Sequence, residues 1–513
     1  MSNAPAIFRS LVIYALCVPL AVIVGYMLTD PLDYTTFAYA GVLGLVLVFP
    51  LLLRWHYPLL LFSVNASVVM FFIKGQPVFW LVMVALSLGM SLLERAMSSQ
   101  KRFIRMPQIT WPLICMIGVL FLTAKLNGGM GLHAFRSEVY GGKKYIFVVM
   151  SILSYFALTA QRIPPERANL YVTLFLLGGV TQFIGDLYPV TPSFLHFIFW
   201  MFPPTSSNVY MFEVGVTRLS GTSFAASAFV YWLMARYGLR GIFLSGKLWR
   251  PVLFAVVSMM IFLGGFRTVI ISYLAIFGLL FFLEGLHRTR ALLVFMMAGM
   301  LVAVAIIPLA PHLPFTFQRA LAFLPLNLSE EARMSAEDSS NWRYEMWKAL
   351  LPQVPQYLLL GKGYAITMED YEFMGYDSAF HTVDPGQQAL ALSGDYHSGP
   401  LSVVLPLGIW GVIAFLWLML ASLRVMYCNF RHGDESLRTI NAYLWVYYLY
   451  SSFRFLFIYG GLSGDMLVFA STIGFSIALN GGVCRPAPQP VQARQPMVHL
   501  AKIRPRAHPA FQR

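Results

Sequence analysis

Runs of apolar residues, each about 15–20 residues long, alternate with short polar connectors from the N-terminus to Asn480. Lipid demands such lengths, because a spanning segment must satisfy its own backbone polar groups. The pattern predicts spans at 11–28, 36–53, 56–73, 77–93, 110–124, 144–160, 168–184, 222–236, 250–264, 268–284, 290–309, 401–421, 439–457 and 464–480. Two of these divisions are thin: only Arg54 and Trp55 separate the second span from the third, and Gly265, Phe266 and Arg267 separate 250–264 from 268–284. The expected fold class is therefore all-α and polytopic, with about 12–14 transmembrane helices. Leu11–Leu28 is long enough to be a first span and does not read as a cleaved signal peptide. Phe194–Pro204 is too short to cross.

Composition agrees with the pattern. The chain has 513 residues, of which 58% are hydrophobic and 11% charged, with a mean hydropathy of +0.67; soluble domains carry about 25% charged residues. Its net charge of +14 needs no nucleic-acid partner, because Arg and Lys gather in short connectors that alternation puts on one side: 94–105, 236–250 and 287–290. This is the positive-inside pattern, and it predicts both termini in the cytoplasm. The opposite side then receives a large loop, 310–400, holding half of the 22 Asp+Glu. The expected divisions are 1–209 (N-terminal bundle), 210–309 (further membrane helices), 310–400 (external loop), 401–480 (C-terminal helices) and 481–513 (a basic, Pro-rich, disordered cytoplasmic tail). The four cysteines, Cys17, Cys115, Cys428 and Cys484, lack metal or redox spacing. No Gly-rich phosphate loop and no acidic metal cage accompanies them.

Five polar positions fall on the external side. His397 stands at the mouth of the span 401–421, where an imidazole can take a proton from a hydroxyl nucleophile or simply contact lipid head groups. Arg343 and Trp347 are i,i+4 neighbours on a helix expected to start at Ser339 or Ser340 and to end near Leu351; an arginine there suits phosphate oxygens or a surface ion pair. Arg267 opens an apolar run with no loop to hold it, so it either snorkels or faces an anion. Arg218 precedes SGTS (220–223), whose backbone donors are candidates for an anion site. Arg454 ends a span on the same side. His312, His381 and Asp384 are weaker candidates, and Tyr188, Trp200 and Tyr210 read as an interfacial aromatic belt or as sugar-stacking rings.

Five tracts follow in a characteristic order: RLSGTS (218–223), GGFRTVIIS (264–272), Arg343 four residues before Trp347, YLLLGKGY (357–364), and HSGPLSVVLPLGIWG (397–411). In order, spacing and side they resemble the bacterial O-antigen ligase and polymerase superfamily of integral membrane glycosyltransferases. Ser398 stands where that family usually has Asn, Phe266 replaces a small residue, and SFAASAF (223–229) replaces an Asn-Pro-Asn-like tract. The resemblance implies a GT-C-like protein of the bacterial inner membrane, with its active site on the periplasmic side and neither metal nor other cofactor. It implies an undecaprenyl-diphosphate-linked glycan as donor, lipid A-core or another glycan as acceptor, and membrane lipids as the surroundings. His397 would be the base; Arg267, Arg343, Arg218 and, from position, Arg454 would bind the substrate. Polymerisation of lipid-linked repeat units and lipid-linked oligosaccharide flipping are the alternatives.

Overall fold

The computed structural model describes residues 34–73, 75–97, 103–127, 142–204, 218–365 and 396–486, with a few positions between 14 and 29. The expected first span, the tail beyond 486, His381, Asp384 and Tyr210 lie outside the described residues, wholly or for the most part. Among the described residues the architecture is all-α, with one isolated bridge between Val69 and Val78.

The helices are α1 (Tyr34–Asn65), α2 (Phe79–Met97), α3 (Pro107–Leu126), α4 (Gly142–Leu158), α5 (Pro165–Asp186, a helix with 3-10 turns), α6 (Ser220–Phe243), α7 (Trp249–Met260, extended by a 3-10 turn to Gly264), α8 (Arg267–Leu283) and α9 (Ala291–Leu309). Then follow α10 (Phe315–Leu321), α11 (Glu330–Leu350), α12 (Gly399–His432), α13 (Arg438–Phe457) and α14 (Leu462–Asn480). Six helices among the described residues are long and apolar enough to cross a membrane. This is an integral, polytopic membrane protein.

Three expectations need correction. The spans 36–53 and 56–73 do not divide at Arg54 and Trp55: α1 continues through both residues, and through Pro50 and Pro58, and ends at Asn65, so 66–73 is not part of a span helix. After Asn65 the chain turns back, with Phe79 N donating to Val68 O at 2.8 Å. Second, α11 starts about ten residues before Ser339. Its N-cap is Ser329, whose side chain accepts from Ala332 N, and Glu330 and Glu331 favour the first turn. Third, the backbone donors of Gly221 and Thr222 in SGTS are already used: Gly221 N and Thr222 N donate to the buried Asp186 carboxylate at 3.1 and 2.6 Å, and Thr222 Oγ1 donates to it at 2.8 Å. Asp186 thus caps α6 from the end of α5.

Contacts sort the connectors to two ends. At one end Asn127 Nδ2 donates to Gly361 O, Asp186 caps α6, and Leu462 N donates to Ser402 Oγ. At the other, Ile104 N donates to Thr159 O and Ile163 N to Ala478 O, and the Glu284 carboxylate accepts from Leu239 N and Arg240 N. The arginine-rich connectors lie at this second end.

Helix α12 is broken near its start. Pro406 removes a donor and Gly408 adopts a left-handed φ of +65° that a side chain would resist. The freed carbonyls of Leu405 and Pro406 accept from Lys362 N at 2.8 Å and Gly363 N at 3.0 Å, and Ile409 N donates to Leu358 O at 2.6 Å. The LLLGKGY tract therefore completes a helix that would otherwise carry open backbone groups in an apolar setting.

Candidate functional site

The site grows from one tight turn, Gly264–Gly265–Phe266, between α7 and α8. Gly265 ends the 3-10 turn in the left-handed region, φ +65°, and the turn directs its carbonyls towards incoming side chains. Leu219 N donates to Leu263 O at 3.2 Å, and Ser223 Oγ donates to Ile261 O at 2.6 Å, so the RLSGTS tract lies along the end of α7. Arg218, 7% exposed, donates through Nε and Nη2 to Gly264 O at 3.2 and 3.1 Å. Its guanidinium covers the Phe266 ring at 4.7 Å, and Phe266 in turn stacks on Phe224. Arg319, from α10, donates through Nη1 to Gly265 O at 2.9 Å and through Nε to Ser335 Oγ at 3.1 Å. Arg267, the residue after the turn, donates through Nη2 to Ala336 O at 2.8 Å and Ser340 Oγ at 3.1 Å.

Ala336, Ser340, Arg343 and Trp347 are spaced by four, three and four residues, so they share one stripe of α11. Arg267 holds its first half. Trp347 holds the other end by donating Nε1 to Tyr396 O at 2.8 Å, while Met346 and Leu350 pack with Tyr396, Leu401 and Leu405. Arg343, between them, lies over the Tyr459 ring at 5.6 Å, and its Nε has no hydrogen-bond partner among the described residues. The surface pair Lys348–Glu345 spans 3.8 Å on the exposed side of the helix.

His397 has φ +48°, in the left-handed region, where His is tolerated better than most side chains. Ser398 then turns extended as the N-cap of α12. The His397 ring meets the Tyr459 ring at a centroid distance of 5.0 Å. Tyr459 therefore lies between His397 and Arg343, and Arg454 also approaches it at 6.0 Å. Arg454 differs from the other arginines: it is paired with Asp465, and it also donates to Tyr459 O at 3.4 Å. Its charge is already met within the protein.

Electrostatics set the remaining four cations apart. Among the described residues, the ion pairs are His56–Glu94, Lys348–Glu345 and Arg454–Asp465; none involves Arg218, Arg267, Arg319 or Arg343. Burial, joined by the positive charges of Arg218, Arg267 and Arg343, pulls the Arg319 guanidinium down to about 10. Burial likewise lowers Arg218 and Arg343, with Tyr459 partly opposing the shift at Arg343. Desolvated like charges disfavour one another until an anion arrives.

The structure thus brings Arg218, Arg267 and Arg343 to one end and sets His397 beside Arg343 through a shared ring. Arg319 and Tyr459 belong to the same constellation and were not singled out from sequence. Arg319 is one cation in a short helix after a Pro-rich exit, and Tyr459 is one tyrosine among 26; neither carries a local signal. Against known proteins, no curated sequence matches the chain. Residues 252–416 match the family model Wzy_C, described as O-antigen ligase; they contain the turn, Arg267, Arg319, Arg343, the GKG tract and His397. That match, set in the helical membrane architecture around it, supports a place for this region in the O-antigen ligase and polymerase superfamily.

Proposed function

We propose that this protein is a ligase-type glycosyltransferase. It moves a glycan from undecaprenyl diphosphate to an acceptor hydroxyl, that of lipid A-core, at the periplasmic face of the bacterial inner membrane. The observation that carries this reading is the group of four arginines without a carboxylate partner among the described residues, next to His397. A diphosphate is the anion such a group suits, because guanidinium forks match phosphate oxygens.

The chemistry follows from position. The acceptor oxygen attacks the anomeric carbon while its proton passes to His397. The bond from that carbon to the diphosphate oxygen breaks, and the bond electrons leave with the diphosphate. Negative charge builds on the bridging oxygen, and preorganised cations are most valuable where charge develops. Arg343 and Arg267 bind the diphosphate, with Arg218 and Arg319 fixing the turn and adding positive potential. Tyr459 keeps the His397 ring and the Arg343 guanidinium in register. Arg454, paired with Asp465, acts on the substrate only through Tyr459. An apolar groove of about 450 Å³ between α3 and α12, walled by Leu360, Trp410 and Trp417, offers a surface for an isoprenoid chain.

The decisive experiment is product analysis with purified protein, a fluorescent undecaprenyl-diphosphate glycan and two acceptor pools. Transfer to lipid A-core is expected. A ladder on the carrier would make the enzyme a polymerase, and carrier movement across proteoliposomes without any transfer would make it a flippase. Sidedness is read separately: a cysteine replacing the exposed Glu345 should react with an impermeant thiol reagent before the inner membrane is opened. Reaction only after permeabilisation would refute the periplasmic placement.

A further inference from the structure

A second cavity, partly open to the surface, lies between α1, α5, α6, α13 and α14, with a volume of about 200 Å³. Its walls are aromatic and aliphatic, including Phe224, Tyr231 and Tyr447, but Ser471 and Thr472 also line it. Both are 1% exposed, and neither hydroxyl has a hydrogen-bond partner among the described residues. Ser220 and Ser422 also bury a hydroxyl without a partner among the described residues; Ser471 and Thr472 do so on the wall of a cavity. The hydroxyls of Ser151, Ser227, Ser272 and Ser452 each donate to a carbonyl one turn back on their own helix, the usual way to satisfy a hydroxyl in an apolar setting.

Position narrows the occupant. Asn65 and Gln182 line the cavity near the end that carries the arginines, whereas Thr472 lies about 15 Å along α14 from Leu462, at the helical rise of about 1.5 Å per residue. Phe224 links this cavity to the site, since it stacks on Phe266 at 5.4 Å, and Phe266 lies beneath Arg218. A hydrocarbon tail would leave the two deep hydroxyls desolvated and unmatched. A ring carrying its own hydroxyls would match them, and its C–H faces would lie on the tyrosines and Phe224. Mostly apolar walls with a few placed polar groups are what orient a small polar ligand.

We propose that this cavity is a subsite for a single sugar residue of a lipid-linked glycan. The inference rests on the reading that the chain acts on such glycans. The experiment uses the full chain in nanodiscs, with Cys17, Cys115, Cys428 and Cys484 replaced by alanine and Thr472→Cys introduced. Alkylation of that cysteine is timed with undecaprenyl diphosphate alone and with the same lipid carrying one N-acetylhexosamine. Protection by the sugar-bearing lipid only is expected. Equal protection by both lipids would mean a hydrocarbon occupant, and protection by neither would mean a cavity filled by water, about seven molecules by volume; both results overturn the proposal. Glycosyl transfer by the protein with native Thr472 is scored in parallel, so protection without transfer would sink the catalytic reading and leave the subsite standing. Thr472→Val, which keeps the shape, should raise the half-saturating concentration of the sugar-bearing lipid about five- to tenfold. An unchanged value would also overturn the proposal.

Discussion

Replacing Arg343 by Gln tests whether the arginine group exists for an anion or for the fold. The side chain is half-buried, its Nε is without a partner among the described residues, and burial pulls its basicity down. A basic group lowered in this way is charged at a cost to the folded protein at every pH below its shifted value, so throughout the neutral range. Removing the charge should therefore leave thermal stability unchanged or raise it slightly. Function should move the other way. A guanidinium about 4 Å from a phosphate charge, at an effective dielectric near 20, gains about 4 kcal/mol; after desolvation, hydrogen bonds to charged groups retain about 1.5–3 kcal/mol. Taking about 2–3 kcal/mol, kcat/KM for the lipid-linked donor should fall about 30- to 150-fold. The assay is initial transfer rate against donor concentration in proteoliposomes, with melting followed on the same preparations. Unchanged kcat/KM at normal abundance would refute the diphosphate role. A collapse in melting temperature would make Arg343 a structural residue.

Arg454→Gln should behave oppositely. It strands the Asp465 carboxylate, whose side chain is 10% exposed, and breaking a buried pair costs about 3–5 kcal/mol; membrane abundance should fall, and adding Asp465→Asn should restore much of it. Recovery of abundance without recovery of transfer would give Arg454 a direct part in the reaction. His397→Asn should lower the maximal transfer rate about 100-fold, within the usual range for a general base, with donor binding retained; a rate within twofold of the parent removes His397 as the base. Gly408→Ala forces a side chain into φ +65°, at about 1–2 kcal/mol, and should lower the melting temperature; an unaltered melting curve would show that the break in α12 relaxes freely.

Span positions were readable wherever a polar or breaking residue bounded an apolar run, as at Pro107, Gly142 and Gly461. The division at Arg54 and Trp55 failed because two polar or amphipathic side chains leave the backbone hydrogen bonds of a helix intact. Merging those two spans removes one crossing, which bears directly on the side assigned to the N-terminus. The start of α11 was misplaced because Ser329, Ser339 and Ser340 are equally good caps by residue type, and the acidic Glu330 and Glu331 that favour Ser329 were read only as loop charge. Arg343 and Trp347 were visible as a helical pair, but that Trp347 would reach the Tyr396 carbonyl depends on the packing of α11 against α12. Arg454 looked equivalent to the other arginines because its partner, Asp465, lies eleven residues away in the next helix. Local pattern identified Arg218, Arg267, Arg343 and Arg454 but not Arg319; only tertiary structure distinguishes a neutralised cation from those left open.

Convergence on the turn at Gly264–Gly265 gives the scattered tracts a common cause. Arg218 takes the carbonyl of Gly264 and Arg319 that of Gly265, while Arg267 leaves the same turn to hold α11. Three cations from three separate stretches are thus fixed by backbone oxygens rather than by carboxylates. The distinction matters energetically. A carboxylate would have neutralised each arginine, as Asp465 does for Arg454; a carbonyl satisfies the donors and leaves the net charge in place. The fold thereby positions the guanidinium groups firmly while keeping their field available to an incoming anion. A side chain at Gly265 would strain the left-handed turn and displace two of these acceptors together. Its substitution should therefore disturb Arg218 and Arg319 as a unit, whereas Arg343, held from α11, should respond independently.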